Sequence, residues 1–259
     1  MKRTIIFIGI LAMATCWGAS LASAHFGMVI PADSMVMPDD DRSVSLKISF
    51  SHPFEGLGMP MAQPERFFVD HNGSQDDLTR ELEETEVMGK KAWRLDYQIK
   101  RPGVYNFCLE PRPYWEPAED CYIVHYTKTV VAAFGDDEGW DEPVGLKTEI
   151  VPLSKPFGLY AGNVFQGIVR LDGRPVPFAE VEVEYYNSRG RVQAPTDYMI
   201  TQTIKADQNG VFTYAAPVPG WWGFAALNPA DYKIEHNGEK KEVELGAVLW
   251  VEFQGWGNP

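Results

Sequence analysis

The sequence has 259 residues and carries 36 acidic against 23 basic side chains, a formal net charge of −13. An excess of this sign argues against nucleic acid and anionic lipid as partners and suits a protein that meets cations. Aromatic residues at 13%, together with 23 glycines and 19 prolines, point to an all-β chain rather than a helical one.

The first residues read as an export signal. Lys2 and Arg3 precede an apolar run from Ile5 to about Cys16, and Ala22-Ser23-Ala24 has the small-x-small form of a signal-peptidase site. The run is too short to span a bilayer stably, and no later stretch is longer or more apolar, so a periplasmic protein is expected. Cleavage after Ala24 leaves about 235 residues, enough for one large or two modest domains. It also removes two basic residues and no acidic one, which takes the net charge to about −15. Lipidation at Cys16 is the alternative, but Met13-Ala14-Thr15 lacks the leucine of a lipobox. The processed chain would start at His25, whose α-amine and imidazole together form a chelate for a borderline divalent metal or for copper.

From there the pattern is of strands. In Ser43–His52, Val44, Leu46, Ile48 and Phe50 alternate with Ser and Lys, a half-buried strand with His52 at the end of its apolar face and Pro53 stopping the ladder. Strand-like runs follow at Arg66–Asp70, Trp93–Lys100, Val104–Leu109, Cys121–Phe134 and Leu146–Val151, and Leu78–Glu86 could hold a helical turn. The acidic, proline-marked stretch 136–156 reads as a junction. A second series follows it: Tyr160–Leu171, Pro175–Tyr186, Tyr198–Ala206, Val211–Ala215, Trp221–Leu227, Tyr232–His236 and Glu242–Phe253. Asp172-Gly173 and Asn237-Gly238 mark tight turns within it. The expected architecture is therefore two β-sandwich domains, 25–135 and 157–259, joined by an acidic linker.

Beyond Cys16 the cysteines are Cys108 and Cys121, an even pair in an oxidising compartment that flanks the Pro-rich turn 110–120. A disulfide is expected; its loop closure would contribute roughly 3 kcal/mol. Two thiolate metal ligands are the rival reading. Of the five histidines, His71 and His236 each precede Asn-Gly and read as solvated turn residues. His125 lies inside an apolar strand, on one face with Cys121, Ile123 and Thr127. Such a histidine is most often a satisfied core residue, but His25 and His52 can reach the same end of one sheet pair. Three imidazoles and an amine would suit nickel, cobalt, copper or zinc, with Glu55, Glu119 or Asp120 orienting the rings or ligating. Acid would release such a metal, because protons compete for the same nitrogens. Met35-x-Met37 and Met59-x-Met61 are soft donors by type but read as core or contact residues, and Trp221, Trp222 and Trp250 as core or edge aromatics. No phosphate loop, zincin helix or nucleophile elbow is present.

The segments AHFGMVIP, SFSHPFEG, RPYWEPAEDC, VHYTKTVVAAFG, GWDEPVGLKTEIVPL and PFGLYAGNVFQG resemble the additional periplasmic component of nickel energy-coupling-factor transporters, within a broader group of exported proteins tied to nickel and cobalt uptake. The resemblance runs from the signal site almost to the C-terminus. It implies a non-enzymatic accessory role beside a membrane importer, with Ni(II) or Co(II) as the ion; no ligand is carried over from it. Phe165–Asp172, Pro177–Tyr185 and Asp207–Tyr214 also resemble the transthyretin-like or carboxypeptidase-regulatory β-sandwich. Two other readings remain open: a copper histidine-brace protein that activates oxygen, with Tyr122 or Tyr126 as an axial group, and a metal-free binding module that uses exposed tryptophans.

Overall fold

A computed structural model describes residues 24–257. Lys2, Arg3 and Cys16 of the expected signal segment lie outside the described residues, which begin at Ala24. In chain order the strands of the first half are β1 (Phe26–Pro31), β2 (Met35–Val36), β3 (Ser43–His52), β4 (Leu57–Met59), β5 (Arg66–His71), β6 (Ser74–Asp77), β7 (Glu83–Val87), β8 (Lys90–Gln98), β9 (Gly103–Glu110), β10 (Tyr114–Glu116) and β11 (Cys121–Ala133). Those of the second half are β12 (Thr148–Pro152), β13 (Leu159–Tyr160), β14 (Val164–Leu171), β15 (Arg174–Pro175), β16 (Glu180–Tyr185), β17 (Gln202–Lys205), β18 (Val211–Ala215), β19 (Gly220–Pro229), β20 (Ile234–His236), β21 (Glu239–Lys241) and β22 (Val243–Gln254). The fold is all-β. Where a helical turn was expected near Leu78, a single 3-10 turn at Thr79–Glu81 gives way to β7, because Glu83–Val87 pairs with Lys90–Gln98 across the Met88-Gly89 turn.

One large sheet, in the order β17-β16-β19-β22-β11-β9-β5-β6, runs through both halves of the chain. Its centre is a parallel pairing of β11 with β22, from Tyr122↔Val243 to Thr129↔Trp250. The stretch 136–156 is therefore no break in the sheet, and it contains β12, which pairs with β14. A sheet of β1-β3-β8-β7 packs over the first-half strands, enclosing Leu46, Ile48, Phe67, Phe107 and Val131. A smaller sheet of β12-β14-β15 with β18 packs over the second-half strands, enclosing Phe165, Val181, Val183, Phe212, Phe224 and Leu249. β11 is buried along most of its length, as a central strand covered on both faces must be. Trp222 and Trp250 are core residues.

The expected disulfide is absent: Cys108 and Cys121 are both free. The reason is register. Asn106 lies opposite Val130 in the β9–β11 ladder, which puts Cys108 beside Lys128 and about seven residues, on the order of 20 Å, from the start of β11 where Cys121 sits. Cys121 instead faces Glu116 across the β10–β11 hairpin, and burial with the nearby carboxylates raises its thiol pKa to about 11. The Pro-rich turn is closed by β10, not by sulfur.

Candidate metal centre

Strand β1 brings the N-terminal histidine to the rest of the site. Its antiparallel register with β3 pairs Phe26 with Ser51, so His25 falls opposite His52 as the next cross-strand pair. The two rings lie 4.6 Å apart between centroids. Both belong to the face of the small sheet that carries Gly27 and Phe50, and this face is turned toward β11. Gly27 is required there: a Cβ on it would lie 2.3 Å from the Thr127 hydroxyl and 3.1 Å from the His125 Cβ. The outer edge of β1 is held by side chains of the large sheet. The Trp250 indole N–H donates to the Gly27 carbonyl at 2.8 Å and the Thr129 hydroxyl to that of Val29 at 2.5 Å.

The first ring, His25, is 9% exposed, stacks on Phe50 and meets Glu116 through Nε2, 2.9 Å from the carboxylate oxygen. A carboxylate accepts, so Nε2 carries the hydrogen and Nδ1 the lone pair. Burial, then the proximity of His52 and His125, lowers its pKa to about 4, against the opposing pull of Glu116. The ring is neutral at pH 7, the form that ligates metal. Glu119 lies 4.0 Å from its Nδ1. The second ring, His52, donates from Nδ1 to the Ala24 carbonyl at 2.8 Å.

The third ring, His125, is 2% exposed and packs edge-on to Phe50. Its Nδ1 accepts a long hydrogen bond, 3.4 Å, from the Gly27 amide, while its buried Nε2 has no hydrogen-bond partner and stands 3.7 Å from Glu244. The ring is accommodated by the missing side chain of its β22 neighbour: a Cβ on Gly246 would lie 2.3 Å from the His125 Cδ2. Gly246→Ala is therefore expected to displace the ring and destabilise the fold by about 1–3 kcal/mol in urea unfolding; an unchanged midpoint would show that the ring moves aside freely. A cavity of about 140 Å³, lined by Phe50, Met61, Tyr114, Trp115, Ile123 and His125 among others, adjoins this ring.

Carboxylates crowd the same region. Burial and then Glu244 and Glu116 raise the pKa of Glu119, and burial, Glu244, Glu184 and Glu119 raise that of Glu182 to about 7. In β16 Glu180, Glu182 and Glu184 alternate with Val181 and Val183, yet Glu184 is 1% exposed. Glu55 lies in the exposed turn after β3, and the carboxylate hydrogen-bonded to His25 is Glu116, a residue singled out by no spacing because its role comes from the short strand β10. His71 and His236 are not solvated turn residues. His71 stacks on Tyr105, and His236 stacks on Trp115 and bonds the Tyr122 hydroxyl. Among the described residues, no three side chains of His, Cys, Asp or Glu are arranged to hold a metal ion as they stand.

A family model described as a domain of unknown function (DUF4198) matches residues 22–230. Comparison with the curated proteins returns no match. Among solved structures, the D0-D1 domain of intimin is 12% identical, with 89% of this chain and 99% of that chain covered, at a TM-score of 0.25. Trypsin-activated alpha-2-macroglobulin from Escherichia coli is 8% identical over 88% of this chain and 16% of that chain, at 0.26. The fibronectin(III)-like modules of Clostridium thermocellum CbhA are 9% identical over 88% and 95%, at 0.23. At such scores these likenesses carry no argument about this chain.

Proposed function

This chain belongs to the DUF4198 family, a domain of unknown function, and we propose that it is an exported protein that captures Ni(II) or Co(II) and supports uptake of the ion by a membrane importer. The observation that carries this reading is the convergence of His25, His52 and Glu116 at the end of β1, with His25 buried and its Nδ1 lone pair unprotonated. Imidazole nitrogens suit a borderline divalent ion, and a carboxylate on the far ring nitrogen is the usual means of orienting a ligating histidine. His125, with its unpartnered buried Nε2, and Glu119 and Glu244 add nitrogen and negative charge within the same region. The net charge of the chain favours attraction of a cation. The sequence resemblance to nickel-transport accessory proteins supports the choice of ion and a role in binding rather than catalysis.

Isothermal titration of the chain lacking residues 1–24 with Ni(II) at neutral pH tests this. Binding tighter than about 10 μM is expected, weakened at least tenfold in His25→Ala; no binding tighter than about 1 mM would remove the reading.

A further inference from the structure

The imidazoles at the end of β1 are short of a donor, and the atom that stands in its place belongs to Ala24. Ala24 is buried against Phe26, Met28 and Trp250, and its carbonyl oxygen takes the Nδ1 hydrogen of His52 at 2.8 Å. The nitrogen bonded to that carbonyl's carbon, that of His25, is an amide in the unprocessed chain, and its lone pair is delocalised into the carbonyl rather than offered to a metal. Across one amide that nitrogen lies close to the carbonyl oxygen, hence no more than about 5 Å from the His52 Nδ1.

We infer that cleavage between Ala24 and His25 completes the metal site, and that the unprocessed chain is capped against metal by its own Ala24 carbonyl. Hydrolysis of the peptide bond adds water across it: the Ala24 carboxylate leaves with the signal and the His25 nitrogen becomes a primary amine. Three consequences follow at one place. The amine's lone pair is no longer delocalised. The carbonyl that held the His52 Nδ1 hydrogen is gone. The His25 Nδ1, kept unprotonated because Glu116 holds the hydrogen on Nε2, closes a six-membered chelate ring with the new amine. Amine, His25 Nδ1 and the His52 imidazole then supply three nitrogens where, among the described residues, the side chains alone do not make a site. Glu116 is a positioning residue in this arrangement, since it fixes which nitrogen of His25 is available. The ligand class is a borderline divalent transition ion, for which nitrogen donors are preferred over oxygen.

This inference rests on the metal-capture reading, and the experiment separates the two. Three forms of the otherwise full chain are titrated with Ni(II) alone by calorimetry: one starting at His25, one starting at Ala24, and one starting at His25 with its amine acetylated. Thermal melting confirms that all three are folded. The His25 form is expected to bind at least 100-fold more tightly than the other two. In Glu116→Gln of the His25 form, the advantage over its own Ala24-extended counterpart is expected to shrink, which a merely structural role for Glu116 would not produce. Equal affinity of the three forms, with binding present, overturns the inference and leaves the capture reading standing. Absence of binding in all three overturns both.

Discussion

Glu149→Ala is expected to lower the unfolding free energy by about 3–5 kcal/mol, read as a fall in the urea midpoint. Lys128 on β11 and Glu149 on β12 form an ion pair at 3.1 Å with only 1% and 3% of their side chains exposed. The carboxylate also accepts the amides of Val144 and Gly145, each at 3.1 Å, so it gathers the loop before β12 onto the pair. Removing it leaves an ammonium buried without a counter-charge and two amides without acceptors, and that penalty exceeds what the pair contributes when intact. The double variant Lys128→Met/Glu149→Gln should be clearly more stable than Glu149→Ala, because it removes the stranded charge and keeps one acceptor. Equal loss in both variants would mean that the amide acceptors, not the charge pair, carry the effect.

A second large effect is a pH dependence at Glu184. Burial raises its pKa from 4.5 to about 7, with Glu55 adding to the rise and the Thr201 hydroxyl and Phe54 amide opposing it. The sign follows from which state holds the proton. Between pH 4.5 and 7 the folded carboxyl binds a proton that the unfolded one has released, so this group's contribution is fully present below pH 4.5. It is lost as pH rises through 7. The shift corresponds to roughly 3 kcal/mol. In Glu184→Gln nothing titrates, so the stability difference between the parent chain and the variant should move by about that amount between pH 4.5 and 8, in the direction that favours the variant at high pH. Parallel profiles from chemical denaturation at the two pH values would contradict the assignment.

Period-two alternation located Ser43–His52 to the residue, and with it the placement of His52 at the end of an apolar face. The turn chemistry was equally legible: Asn72, Asp172 and Asn237 all take positive φ before a glycine. What sequence spacing does not expose is pairing between distant strands. Strand β1 has no alternation to announce it, because Phe26–Pro31 is buried on both faces, yet its register is what sets His25 opposite His52. Glu116 was hidden for a related reason: a three-residue strand among prolines carries no periodicity. Cysteine parity suggested a disulfide because parity counts residues in the chain, whereas bonding depends on which strand positions face one another. The burial of Glu184 escaped for the complementary reason that a polar alternation is read as facing water unless something is known to lie over it.

The parallel pairing of β11 with β22 has a consequence for how the chain reaches this state. The paired residues are about 120 positions apart in the chain. Until β22 pairs, the edge of β11 from Tyr122 to Thr129 has no ladder partner on that side, and β19 likewise waits for the same strand. The two halves therefore cannot finish folding in succession, as beads on a string do. Pairing of this one strand closes both, so the ladder beside His125 is complete only when β22 has joined it. Contacts of such sequence separation make for slow folding, and they leave unpaired strand edges exposed while it proceeds.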